Sequence, residues 1–364
     1  MNRFPLKTSN FHTDILKQTQ LGQLCGTEQL FRDRYAILRI LGRGGFGITF
    51  LAKNTMLPGN PLCVIKQLCP KVTNPKSWQR ACDRFEKEAK TLGQLGSHSQ
   101  IPMLLDYFQA NGEFYLVQEY VRGSTLAREI RRTGPKNEAT VKQFLRELLP
   151  VLQYVHKHRV IHRDIKPQNL LRCEDDGRIV LIDFGAVKEK LAETGDTAMH
   201  KSVSTNFVGT MGFAPPEQFS LRPVYASDIY AVGVTCLYLL TGKAPLEFEH
   251  HPDTGDICWQ KHVQLSDHFA SVLGKMVKMS LAERYQTTND VISSLGLENY
   301  LPTLTNCLAT QPLGGDNNSG NREVSSAYLS PVARTASAIR ESRAKLDARK
   351  SHNKLKRCLP EVSN

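Results

Sequence analysis

From Tyr35 to about Val121 the chain reads as short β-branched and aromatic runs, YAILRIL, ITFLAK, LCVIKQL and FYLVQEYV. They are separated by turn sequences such as Leu57-Pro58-Gly59-Asn60 and Asn111-Gly112. Runs of that length bounded by glycine, proline and asparagine predict strands joined as hairpins. One segment interrupts them: over about 78–95, Phe85, Ala89 and Leu92 keep helical spacing and predict a helix. After Gly123 the period lengthens, and Val141, Phe144, Leu145, Leu148, Leu149, Leu152 and Val155 fall on one helical face. Pro150 lies inside that run and should kink it or leave one carbonyl unpaired. Two strand-like pieces follow at 169–172 and 179–182, joined by Glu174-Asp175-Asp176-Gly177, and helical patterning returns from 227 to about 297.

A strand-rich half followed by a helix-rich half predicts an α+β arrangement of two lobes, 34–122 and 123–298, with a ligand cleft between them. Residues 1–33 are polar with scattered apolar positions and no clear period; they read as a leader that packs on the domain at most. Beyond 298 the composition shifts to Asn, Ser, Gly and Arg, including GGDNNSGN at 314–321, so 299–364 reads as a basic, disordered tail. Helix-forming residues recur at 335–357, but with only Ile339, Leu346 and Leu355 strongly apolar a helix there is marginal in water.

The apolar run at 229–240 is too short for a bilayer and reads as a buried helix. The first residues, MNRFPLKTSNFHTDILK, lack the apolar core of a secretory signal, which predicts a cytoplasmic protein in a reducing compartment. Nine cysteines with no C-x-x-C pair fit neither a disulfide framework nor a zinc site. The net charge of +12 suggests a nucleic-acid partner at first, yet residues 299–364 hold ten Lys/Arg against five Asp/Glu, so +5 of it sits in the tail. No interleaved aromatic and basic stripe supports that partner, and nucleic acid is left as a weak secondary reading.

The candidate chemistry is phosphate chemistry. Gly42-Arg43-Gly44-Gly45-Phe46-Gly47 matches G-x-G-x-x-G, but Ile48-Thr49-Phe50-Leu51 continues as a strand where a dinucleotide site would start a helix. A glycine-rich hairpin results, whose amides can lie over phosphates because no Cβ blocks the approach. Lys66 ends the apolar run Cys63-Val64-Ile65, and Glu88 on the following helix is placed to neutralise it and hold it against phosphates, with Glu86 as the rival carboxylate. In Ile161-His162-Arg163-Asp164-Ile165-Lys166-Pro167-Gln168-Asn169, acid, cation and amide are packed together, and Asp183-Phe184-Gly185 follows behind a second apolar strand. A hairpin there brings Asn169 and Asp183 together as oxygen ligands for Mg²⁺.

With Gly209-Thr210 and Pro215-Pro216-Glu217, these motifs stand in the order and spacing of a eukaryotic-type (Hanks-type) serine/threonine protein kinase, which the chain resembles over roughly 34–297. The wording GGFGITFLA, IPMLLDYF, FYLVQEY, VLIDFGAVK and APPEQF is similar to bacterial, particularly cyanobacterial, kinases of this type. The resemblance implies a bilobal α+β protein-kinase fold, a small β-rich N-lobe and a larger helical C-lobe. It implies a signalling enzyme that transfers the γ-phosphate of ATP, with Mg²⁺, to Ser/Thr hydroxyls of protein substrates.

On that resemblance Asp164 orients the acceptor hydroxyl and takes its proton, while Lys66, held by Glu88, and Lys166 stabilise the transferring phosphoryl group. Leu41, Gly42, Gly44, Gly45, Phe46, Gly47, Thr49, Val64 and Lys66 would line the nucleotide pocket, with Glu119 and Val121 hydrogen-bonding adenine and Gln118 just before them. Val64 and Thr49 depart from the usual alanine and valine, and Pro215 from the alanine of A-P-E. Glu217 and Arg284 are implied as a buried ion pair, Asp228 as a support for the backbone around Arg163, and Phe184, His162 and Leu92 as a stacked column. Arg163 implies a phosphate pocket for an autophosphorylated site within 202–210, Ser204 or Thr205, since Asn206 occupies the usual threonine position. A pseudokinase scaffold would lack the lysine, the base or a metal ligand, and none is missing. A kinase-fold enzyme for small molecules would generally lack Lys166 and the G-T…P-E segment.

Overall fold

The computed structural model describes residues 19–44, 47–69, 74–189 and 209–296. Among these, 19–69 and 108–120 form one compact unit, and 74–107 with 121–296 form the other.

The first unit opens with a short helix α1 (Gln20–Leu24), capped by Thr19, whose hydroxyl accepts from the Gly22 N–H at 3.0 Å. Strands β1 (Tyr35–Arg43), β2 (Gly47–Asn54), β3 (Leu62–Leu68), β4 (Leu104–Ala110) and β5 (Glu113–Glu119) make a five-stranded sheet in the order β1-β2-β3-β5-β4. The β1–β2, β2–β3 and β3–β5 pairs are antiparallel. Register assigns the faces, because strand side chains alternate. Phe50, Ile65 and Val117 stand opposite one another on one face, and Ile48, Gln67 and Tyr115 lie beside them. Thr49, Lys66 and Leu116, with Leu51, Val64 and Gln118, occupy the other. The first face is the core of this unit, and Leu21 and Phe31 complete it from the preceding segment. The predicted leader thus contributes two core side chains. Gly47 has to be glycine for a packing reason, since a Cβ there would lie 2.2 Å from the Gln67 carbonyl oxygen.

In the second unit α2 (Pro75–Leu95) starts at Asn74, whose side chain accepts from the Ser77 N–H at 2.7 Å, and stops at Gly96, at φ 62°. Helices α3 (Leu126–Thr133) and α4 (Glu138–Lys157) follow the short strand β6 (Gly123–Thr125). α4 runs on past Pro150 for two further turns, because its apolar face stays buried from Val141 to Val155. Strands β7 (Val160–Ile161), β8 (Leu170–Cys173), β9 (Ile179–Leu181) and β10 (Lys188–Glu189) form two small sheets, β6-β8-β9 and β10-β7. The predicted strand near 169 begins one residue later, after a 3-10 turn at Pro167–Asn169.

Helix α5 (Pro216–Phe219) is one turn, and α6 (Tyr225–Thr241) is buried on all sides, which accounts for its unbroken apolar run. Helices α7 (Asp267–Met276) and α8 (Thr288–Ser294) complete the unit. Arg284, 2% exposed, donates to Glu217 Oε1 at 2.6 Å and to the carbonyls of Ala226, Lys278 and Met279. Among the described residues no helix is long and apolar enough to cross a membrane.

Candidate active site

The turn after β7 is built around Asp228, which is fully buried near the start of α6. Its carboxylate accepts from the backbone N–H of His162 at 2.9 Å and of Arg163 at 2.8 Å. His156 Nε2 on α4 lies 2.9 Å from the same carboxylate and donates the third bond. Burial alone would raise the Asp228 pKa, but the His156 hydrogen bond and charge, the nearby His162 and the Arg163 N–H hold it below the usual value. Asp228 therefore contributes stability above the usual carboxylate range and loses it as acid protonates it. Arg163 sits at φ 70°, a left-handed conformation held in place by these bonds.

Asp164 follows directly and gathers three partners. Lys166 Nζ donates to its Oδ2 at 2.7 Å, Asn169 Nδ2 donates to the same oxygen at 2.8 Å, and the Thr210 hydroxyl donates to Oδ1 at 2.8 Å. Lys166 also donates to Thr210 Oγ1 at 2.6 Å, which closes the network. Asn169 Nδ2 is further tied to the Asp164 carbonyl at 2.9 Å, so its amide nitrogen faces Asp164. The Asn169 carbonyl accepts from Ile182 N–H at 2.9 Å, and this contact just beyond the β8–β9 pair places Asp183 one residue from it.

Asp183 also has a left-handed backbone, at φ 67°. A Cβ on Gly185 would lie 3.1 Å from Glu88 Oε2 and 3.4 Å from Asp183 Oδ1, so the two carboxylates flank that glycine. Burial separates the two acids on α2: Glu88 is 4% exposed, whereas Glu86 faces outward and pairs with Lys90 at 2.7 Å. Phe184 meets His162 edge-on with ring centroids 4.8 Å apart, and Leu92 is buried. Complete burial lowers the His162 pKa despite the opposing pull of Asp228, Asp164 and Asp183.

Beside Gly185, a small open pocket is lined by Arg84, Lys87, Arg163, Ala186 and Val187. Burial and mutual repulsion lower the pKa of both arginines, with Arg84 repelled by Arg80 and Arg163 by Arg84. Arg163 Nε is buried and has no hydrogen-bond partner. Gln218 Nε2 on α5 donates to the Arg163 carbonyl at 2.6 Å.

The remaining expected site residues lie in the first unit, except Val121. Leu41 and Gly42 lie in the last three residues of β1, and the Gly44 N–H donates to the Gly47 carbonyl at 2.9 Å. No atom comes within 4 Å of a Cβ built on Gly42 or Gly44. Thr49, Val64 and Lys66 share the sheet face opposite the core. Glu119 ends β5 opposite Cys63, and Val121 lies in the segment leading to β6. Gly45 and Phe46 fall outside the described residues, as do 202–208 of the expected phosphorylation segment and the whole of 299–364.

Four contributors carried no usable signal in the sequence. His156 reads as one more residue of an amphipathic helix, Gln218 as a polar position after Pro-Pro-Glu, and Arg84 and Lys87 as solvated helix charges. Only their partners, distant in the chain, give them a place.

An antiparallel five-stranded sheet, a helical unit, and an HRD turn joined through Asn169 to a DFG turn define a protein of the kinase class. Residues 35–294 match the family described as protein kinase domain, and the chain belongs to that family. It is 49% identical over 291 residues to serine/threonine-protein kinase B of Synechocystis sp., covering 79% of this chain and 51% of that protein. It is 44% identical over 281 residues to serine/threonine-protein kinase PknA of Nostoc sp., covering 76% and 50%. Serine/threonine-protein kinase D of Synechocystis sp. is 44% identical over 75% of the chain and 55% of that protein. The chain thus spans about half the length of these curated relatives.

Proposed function

We propose that this chain transfers the γ-phosphate of ATP to serine or threonine hydroxyls of proteins. The observation that carries this reading is the network around Asp164. Its carboxylate accepts the hydroxyl proton of Thr210, as a substrate hydroxyl would be received, while Lys166 stands on the adjacent oxygen. In the reaction, Asp164 orients the acceptor hydroxyl and takes its proton as the oxygen attacks phosphorus. Lys166 and Lys66 balance charge on the transferring group, and Glu88 positions Lys66. Leu41, Gly42, Gly44, Gly45, Phe46, Gly47, Thr49 and Val64 enclose the nucleotide, and the backbone of Glu119 and Val121 holds the adenine.

The donor set fits Mg²⁺. Asn169 turns its amide nitrogen to Asp164, which leaves its oxygen as the end available to a metal, and Asp183, the residue after the Ile182 that bonds the Asn169 carbonyl, offers a hard carboxylate oxygen. When bound, the ion would neutralise phosphate charge.

Two surface features support a polypeptide acceptor and control by phosphate. Met211, 65% exposed, follows Thr210, and Leu246, 67% exposed, lies against Gly212, which makes an apolar surface beside Asp164. The expected result is that Met211→Glu lowers transfer to peptides with an apolar residue next to the acceptor several-fold more than to those with a lysine there, read on a peptide library. The pocket of Arg84, Lys87 and Arg163, with its unpartnered Nε, suits a phosphate, and we assign it to an autophosphorylated residue within 202–210. Arg163→Ala should make the rate insensitive to phosphatase pretreatment, whereas wild-type enzyme slows; mass spectrometry of 202–210 checks the modification itself.

We place the reaction in the cytoplasm, where ATP is supplied. Incubation of the purified chain with labelled ATP, Mg²⁺ and a generic protein acceptor, beside Lys66→Ala, tests the reading as a whole. Nucleotide binding without transfer, equal in both proteins, would favour a scaffold.

A further inference from the structure

We propose that residues 19–34 form a strap that positions Lys66 from behind its strand. The inference rests on the proposed role of Lys66 and concerns a segment that precedes the family match at 35–294. The strap crosses the core face of the sheet from edge to edge. At the β1 edge the Gly26 N–H donates to the Ile37 carbonyl at 2.8 Å. At the β4–β5 turn, Asn111 Nδ2 donates to Gln20 Oε1 at 3.2 Å. Between these ends Leu21 is fully buried, Phe31 packs its ring 4.8 Å from that of Tyr115, and the Arg32 guanidinium sits 4.3 Å over Phe108.

Lys66 is carried between Ile65 and Gln67, both with no exposed surface, and both facing the strap side of the sheet. Gln67 makes that coupling specific. Its Nε2 donates to Glu113 Oε2 at 2.5 Å, and Tyr115 OH donates to the same oxygen at 2.7 Å. Its Oε1 is buried with no hydrogen-bond partner. A buried acceptor without a donor stays in place only while the cover over it excludes water. If the strap loosens, the core that Leu21 and Phe31 share with Ile65 and Tyr115 opens, the Tyr115–Glu113–Gln67 hydrogen bonds slacken, and the strand that bears Lys66 turns with them. Phosphoryl transfer depends on placement, and a shift of about 1 Å is enough to slow it roughly 100-fold.

The test is a double-mutant cycle in the full-length chain, with transfer measured from labelled ATP after the wild-type rate and circular dichroism have been recorded. Leu21→Ala should lower the rate per nucleotide-binding site at least about 10-fold in the wild-type background. In the Lys66→Ala background it should change the residual rate less than about 2-fold, because the residue it acts through is already gone. The same factor in both backgrounds, or no effect in either, would overturn the proposal. If Leu21→Ala does not fold, Phe31→Leu is carried through the same cycle with the same criteria. A wild-type chain that transfers no phosphate would instead refute the kinase reading.

Discussion

Replacing Asp164 with asparagine is expected to slow phosphoryl transfer by about 10²–10⁴-fold, the usual worth of a positioned general base. The substitution keeps size and shape while exchanging a carboxylate oxygen for an NH₂ group. Three donors point at the side chain, Lys166 Nζ and Asn169 Nδ2 at Oδ2 and the Thr210 hydroxyl at Oδ1. An amide can satisfy only those that meet its remaining oxygen, so the variant loses both the proton acceptor and the order of the network. Asp164 is part-exposed and no helix or strand depends on it, so the melting temperature should stay close to that of the wild type. Single-turnover transfer with saturating labelled ATP is the measurement. A rate within threefold of wild type, in a folded protein, would remove Asp164 from the reaction.

Replacing Arg284 with methionine should be the most destabilising single change, at about 3–5 kcal/mol, because it strands a carboxylate that had a buried partner. Its guanidinium binds Glu217 and three backbone carbonyls, which joins the turn after Pro216 to the start of α6 and the segment after α7. Ser227 Oγ, at 2.8 Å, is the partner that Glu217 Oε1 would retain. In a domain of this size the loss corresponds to a melting temperature lower by roughly 6–20 °C. Calorimetry on Arg284→Met and on Arg284→Met with Glu217→Gln separates the causes. The double variant should recover part of the loss, because it no longer buries an unpaired charge. A single variant that melts within 2 °C of wild type would show that the pair is not an anchor.

Much of this site was legible because its parts are local. Lys66 to Glu88, the run from His162 to Asn169, and Asp183 to Gly185 each sit in patterns whose residue types already point to the phosphate and metal chemistry proposed for them. The strands and helices followed from periodicity in the same way, and the helix across Pro150 persisted because its buried face outweighs one missing N–H. The choice of Glu88 over Glu86 rests on spacing, and the structure adds that Glu88 is buried while Glu86 pairs with Lys90. Leu21 and Phe31 were not legible as core, since isolated apolar residues in a polar stretch have no period to read.

By itself the sequence determined the family, the order of the elements and the short motifs in which the proposed reacting groups lie, because these depend on neighbours a few positions apart. Only the tertiary structure decided that Thr210 closes onto Asp164 from 46 residues away, and that Asp228 ties His156 to the HRD turn. The same holds for the cationic pocket made by Arg84, Lys87 and Arg163, and for the strap behind Lys66. The reason is physical: hydrogen bonds and burial depend on distances set by packing, and no local pattern of residues encodes them.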